Sequence, residues 1–175
     1  ALIVACKIHE RNRDNLSLKL MNTYLSFIKY VQMEDGRFNN LVGYDRRVLD
    51  EVGSQDSLGR AILACGYVVS SKVDEQLRHV AKFVFDNAVN HVYELDHLRP
   101  RAFSIIGLAN YYEKYKHPDI IEKIRHLADS LLEKFKSESS ENWKWFENSI
   151  TYSNGSLPES LFYAYKATGD EKYLH

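Results

Sequence analysis

The chain has 175 residues, 45% of them hydrophobic and 13% aromatic, with a formal net charge of −1. That length suits one domain with a sizeable core. The near-neutral charge gives nucleic acid or an anionic membrane no electrostatic claim as a partner, and no apolar run approaches the roughly 20 residues of a membrane span.

The opening Ala1-Leu2-Ile3-Val4-Ala5-Cys6 is apolar but lacks a basic leader and a small-residue cleavage site, so it reads as the end of a helix rather than a signal peptide. A tight turn at Asn12-Arg13-Asp14 follows. Leu20, Tyr24, Phe27 and Val31 then mark an amphipathic helix. Asp35 through Arg60 forms a connection much longer than the roughly 2–8 residues that helix packing needs. Ile62-Leu63-Ala64-Cys65 lies in the next helix, which ends at Lys72-Val73-Asp74. Leu77, Val80, Ala81, Val84, Phe85, Ala88, Val89 and Val92 follow a helical period over about four turns. After the connection Leu95–Pro100, Pro100 starts a helix that runs to the turn His117-Pro118-Asp119. Ile120, Ile124, Leu127, Leu131 and Phe135 mark another amphipathic helix, Ser137–Leu157 a second long connection, and Thr168-Gly169-Asp170 a last turn before a helix over Asp170–His175. No sustained two-residue alternation flanked by hairpin turns occurs. The expected fold class is all-α. Cys6 and Cys65 lie in apolar helical stretches and read as core thiols, which slightly favours a reducing, cytoplasmic setting.

These helices form a weak repeat. A short helix rich in small and apolar residues meets a tight turn carrying Asp, which can cap the free N–H groups of a longer amphipathic helix. The turn aspartates Asp14, Asp74, Asp119 and Asp170 are spaced by 60, 45 and 51 residues, and the variation falls in the connections after the long helices. Short turns therefore gather at one end of the helical array and variable loops at the other. The chain begins inside a short helix and stops at the start of a long one. The expectation is a single all-α segment over 1–175, about half of a toroid and cut within a repeat at both ends, with self-association through the cut edges.

Chemistry-bearing residues concentrate in three loops expected at the same end. The first holds Asp45, Asp50, Glu51 and Asp56 with Arg37, Arg46, Arg47, Arg60 and Tyr44; Asp56-Ser57 is positioned to cap the next helix, with Arg60 one turn inside. The second is His97-Leu98-Arg99-Pro100-Arg101, whose arginines either hold an anionic group or pair with the acids of the first loop. The third runs from Trp143-Lys144-Trp145-Phe146-Glu147 to Tyr152-Ser153-Asn154 and Glu159, and carries both tryptophans. Aromatics beside carboxylates and amides fit a carbohydrate site, because rings stack on sugar C–H faces while polar groups bind the hydroxyls. The alternative for Trp143 and Phe146 is to plug the end of the array. Glycosidic cleavage needs two carboxyl groups across the scissile bond, and Asp45, Asp56 and Glu147 are the chosen candidates. Arg37, Tyr44, Arg60, Arg101, Trp143, Trp145, Tyr152 and Asn154 are the candidate substrate-binding residues. No metal-ligand spacing, phosphate loop or nucleophile elbow occurs, so neither a metal nor another cofactor is implied.

In order along the chain stand Asp35-Gly36-Arg37-Phe38-Asn39-Asn40, Tyr44-Asp45-Arg46-Arg47, Glu51-Val52-Gly53-Ser54-Gln55-Asp56-Ser57-Leu58-Gly59-Arg60 and Trp143-Lys144-Trp145-Phe146-Glu147 through Leu157-Pro158-Glu159. This series resembles the six-hairpin, (α/α)6-toroid glycosidase-like domains associated with bacterial glycosyltransferases. The resemblance spans nearly the whole chain but only about half of such a toroid. It departs from the family pattern at Leu58, where His is expected, and at Ser153, where Asp is expected. The resemblance implies a carbohydrate-active domain that binds or hydrolyses glycans. Its alternatives are a non-catalytic accessory module of a glycosyltransferase and a helical-repeat scaffold for protein interaction.

Overall fold

The computed structural model describes residues 1–174, and over these the protein is all-α. The described residues form α1 (Leu2–Asn12), α2 (Asn15–Tyr30), α3 (Gln55–Ser70), α4 (Glu75–Ala88), α5 (Leu98–Lys114), α6 (Pro118–Glu138) and α7 (Ser156–Thr168). A 3-10 helix at Val89–Glu94 extends α4, and a 3-10 turn at Glu171–Tyr173 follows α7. The helix expected over Asp170–His175 is thus a single 3-10 turn in its described part, and His175 lies outside the described residues.

Local chemistry sets the helix starts, with some shifts from expectation. Asp14 caps α2 by accepting from the Ser17 N–H at 2.8 Å, as an Asp in that turn should. The cap of α3 is Ser54, which accepts from the Ser57 N–H. Asp56 therefore lies inside the first turn, where its charge complements the helix dipole without capping. Likewise α5 opens at Leu98 and carries Pro100 within its first turn, where a missing N–H costs nothing.

The helices make two layers. α1 packs on α3, α3 on α5 and α5 on α7, while α2, α4 and α6 return against α1, α3 and α5 respectively as the second arm of each hairpin. Glycines set the closest contact. A methyl group built on Gly66 would lie 2.1 Å from the Gly107 carbonyl oxygen, and one built on Gly59 would lie 2.7 Å from the Pro100 backbone. Gly59 and Gly66 are seven residues apart, as are Pro100 and Gly107, so α3 and α5 run parallel and in register over two turns. Ion pairing extends the parallel order to α7, whose Lys166 meets Glu113 near the end of α5. The consequence for the site is direct: α3, α5 and α7 all begin at one end of the array, and the long connections meet there.

The core fills the space between layers with Met21, Leu25, Ile62, Val68, Phe85, Ile105, Leu108, Ile124, Leu127, Leu131 and Leu157. Cys6 and Cys65 are free and buried there, and burial pushes the Cys65 thiol up to about 12. On the flanking helices Val4 and Ile8 of α1 and Phe162 of α7 remain exposed. The 31–54 connection is a folded loop with two isolated antiparallel bridges, Gln32 to Phe38 and Val42 to Val48. Its root is seated on the body: Phe38 is buried, and Gly36 (φ 95°) lies where a methyl group would meet the Asn87 carbonyl oxygen at 1.9 Å.

Candidate functional site

Three elements converge where α3, α5 and α7 begin. Arg99, in the first turn of α5, is 6% exposed and spreads its guanidinium across the 139–155 loop. Its Nε donates to the Tyr152 carbonyl at 2.9 Å, one terminal nitrogen donates to Glu147 Oε1 at 2.5 Å, and the other meets the Thr151 hydroxyl. The Tyr152 ring lies under the same guanidinium, 5.1 Å from its centre. The Tyr152 hydroxyl donates to Asp56 Oδ1 on α3 at 3.3 Å, and the other oxygen of Asp56 accepts from Arg60 Nε at 2.5 Å. Arg60 in turn lies over the Phe103 ring at 4.6 Å. One continuous network therefore joins α3, α5 and the connection before α7. Charge-assisted bonds of this kind fix geometry more firmly than neutral ones.

Beside the network opens a cleft of about 700 Å³, whose walls include Asp96, His97, Arg101, Lys134, Glu147 and Tyr152. Gln55 shapes its rim: its side-chain oxygen accepts from the N–H groups of Asp96 (2.8 Å) and His97 (3.1 Å), and its amide nitrogen donates to the Glu94 carbonyl. Glu147 Oε2 is buried and takes no partner, which leaves an acceptor beside Arg99. Ser153 follows Tyr152 in the left-handed region (φ 49°) and turns the chain toward α7. A short polar side chain tolerates that conformation better than a branched one.

No family model matches this chain, and no curated protein matches it.

The sequence-predicted residues divide sharply in place. Asp56, Arg60, Glu147 and Tyr152 join the network, and Arg101 lines the cleft. Asp45 and Tyr44 stand at the tip of the 31–54 loop: Asp45 pairs with Arg47 at 3.1 Å, and Tyr44 is fully exposed. Arg37 pairs with Asp35 at 2.6 Å at the root of that loop. None of these three lines the cleft. Phe146 plugs the core against Phe135 and Trp145, with ring centroids 5.1 and 5.6 Å away. Trp145 is half-buried in that cluster, while Trp143 stays near the surface and donates from Nε1 to the Glu147 carbonyl at 2.6 Å. Neither tryptophan lines the cleft, and nor does Asn154, whose backbone oxygen accepts from Leu157 at the start of α7. Among the described residues no group of His, Cys, Asp and Glu is arranged to hold a metal.

Arg99 is the central residue that sequence reading left inside a larger cluster. Its signal was faint: an arginine in the first helical turn, directly before a proline. Thr151, Gln55 and Lys134 carried no chemical signal of their own, because each contributes through position alone.

Proposed function

We propose that this chain is a carbohydrate-binding helical-hairpin domain, with the glycan lying across the mouths of α3, α5 and α7. The observation that carries the reading is Tyr152. The residue is 59% exposed at the cleft wall, yet its ring is held by Arg99 on one side and its hydroxyl by Asp56 on the other. A pre-positioned ring beside fixed hydrogen-bonding groups is what a sugar needs, a platform for its C–H face and partners for its hydroxyls. The likeness of the loop motifs to (α/α)6-toroid glycosidase-like domains supports the same reading.

The geometry favours recognition over hydrolysis. Both carboxylates of the network are engaged by arginines, Asp56 by Arg60 and Glu147 by Arg99. Asp45, the third candidate, lies on an exposed loop tip with its own arginine. Carboxylates held this way orient neighbours and accept hydroxyl hydrogen bonds. A hydrolytic pair needs two carboxyl groups open to the glycosidic bond.

The test is a titration of the chain with a panel of oligosaccharides, followed through backbone amide NMR signals. A binding glycan should shift Thr151 and Tyr152 first, and Tyr152→Ala should weaken it about three- to tenfold, the loss of one stacking ring. Silence across the whole panel would sink the proposal. Turnover of a glycan that disappears in Asp56→Asn would replace recognition with hydrolysis.

A further inference from the structure

Arg101 is the cleft arginine that the network does not use. Its Nε donates to the Leu95 carbonyl at 2.6 Å, which anchors the guanidinium on the wall. Among the described residues its two terminal nitrogens take no hydrogen-bond partner, and no carboxylate is paired with it. The other two permanent cations of the wall are engaged: Arg99 by Glu147, and Lys134 by Glu138 at 2.6 Å. Of the two acids lining the cleft, Glu147 is held by Arg99, and Asp96 accepts from the Gln55 amide at 3.5 Å. His97 stands exposed on the same rim, its ring without a hydrogen bond among the described residues, and α5 has no acidic residue in its first turn. The cleft thus presents an anchored guanidinium fork that no carboxylate holds in a salt bridge.

We propose that the cleft selects acidic glycans, with Arg101 gripping the carboxylate of a uronic-acid residue. This rests on the carbohydrate reading of the same cleft. Two terminal N–H groups in one plane match the two oxygens of a carboxylate in a bidentate contact, whereas a sugar hydroxyl offers only one acceptor oxygen. With Nε already held by Leu95, the terminal pair Nη1 and Nη2 is the part left for the ligand. Tyr152 then carries the sugar ring, and Arg101 reads its acid group.

Isothermal titration of the full chain with oligogalacturonate and with its carboxyl-reduced, neutral counterpart tests this directly. The native oligomer is expected to bind roughly tenfold tighter or more, the worth of one charge-assisted contact. Arg101→Gln should erase the difference, while Arg101→Lys, which keeps the charge but loses the fork, should retain only part of it. Equal binding of the two oligomers would overturn the acid selectivity and leave a neutral-glycan cleft standing. Failure of both oligomers, together with silence across the neutral panel, would overturn the carbohydrate reading as well. The native-against-reduced comparison uses the unaltered chain, so it decides the matter even where a variant folds poorly.

Discussion

The two long connections, 31–54 and 139–155, use their charges in opposite ways. In the first, acids bind partners within the same loop: Asp35 with Arg37, Asp45 with Arg47, and Asp50 with the N–H groups of Asn40 and Leu41. These contacts shape the loop and end within it. In the second, Glu147, Thr151 and Tyr152 reach side chains on α3 and α5 that lie 48 to 96 residues away in sequence. The lesson is physical. A dense run of alternating charge tends to satisfy itself locally, while a site is assembled from groups whose partners must come from other elements. The first loop is richer in charge, and the second is the one that builds the cleft wall.

The sharpest way to break that comparison is to remove Arg99. Its side chain is 7% exposed against 25% for Glu147, and it holds Glu147, Thr151 and the Tyr152 carbonyl together. Arg99→Met keeps the length of the side chain but strands a carboxylate whose second oxygen is already buried without a partner. A loss of about 3 kcal/mol is expected from breaking a largely buried pair, read as a lower urea midpoint at unchanged slope. Glu147→Gln added to Arg99→Met should recover part of the loss, since the stranded charge is gone. A cost within about 0.5 kcal/mol, the range of an ordinary surface change, would mean the second connection is no better anchored than the first.

A smaller effect concerns the root of the 31–54 loop. His91, in the 3-10 helix after α4, contacts the Asp35 carbonyl at 2.7 Å and Glu94 at 2.8 Å. Burial alone would lower its pKa, but these two acceptors outweigh burial and raise it above the ordinary value. A histidine with a raised folded-state pKa stabilises fully below its unfolded pKa of about 6.5, and that contribution fades as pH climbs through the folded value. Thermal melts from pH 5.5 upward should therefore show a stability component that is lost as pH rises above about 6.5 and through the raised folded-state value. It should be absent in His91→Gln, which at low pH costs on the order of 1 kcal/mol for the lost charge-assisted bond. An identical pH profile in wild type and His91→Gln would detach the loop root from this residue.

The helical class was legible because the period is a local property, visible in runs such as Leu77 to Val92. Helix starts were legible to within about two residues. Ser54 takes the cap of α3 ahead of Asp56, and Leu98 opens α5 ahead of Pro100, because several neighbouring polar residues compete for one capping position. The gathering of Asp56, Arg60, Glu147 and Tyr152 followed from hairpin connectivity, which sends alternate loops to one end. The register that brings them within bonding distance did not. It depends on Gly59 and Gly66 meeting Pro100 and Gly107, a contact between residues about 41 apart whose spacing carries meaning only once the two helices are known to touch. That Tyr44 and Asp45 lie away from the cleft was hidden for the complementary reason. An aromatic beside an acid looks the same in sequence whether the pair faces a cleft or open solvent.

That pair provides the weakest and most discriminating perturbation. Asp45 is 56% and Arg47 82% exposed in their side chains, and solvent screens a contact of that kind. Tyr44 buries nothing, although the loop tip is tied to α2 where the Tyr30 hydroxyl donates to the Arg46 carbonyl at 2.5 Å. Asp45→Asn and Tyr44→Ala are each expected to change stability by less than about 0.5 kcal/mol. Glycan affinity should stay within about twofold of the unaltered chain, because neither residue lines the cleft and no bond leads from them to the Arg99 network. Tyr152→Ala, the same kind of truncation at an anchored ring in the other loop, supplies the control. If Asp45→Asn instead weakened a glycan as strongly as Tyr152→Ala did, the loop tip would have to fold over the cleft when ligand binds. The contrast between a self-contained loop and a site-building one would then hold only for the unliganded chain.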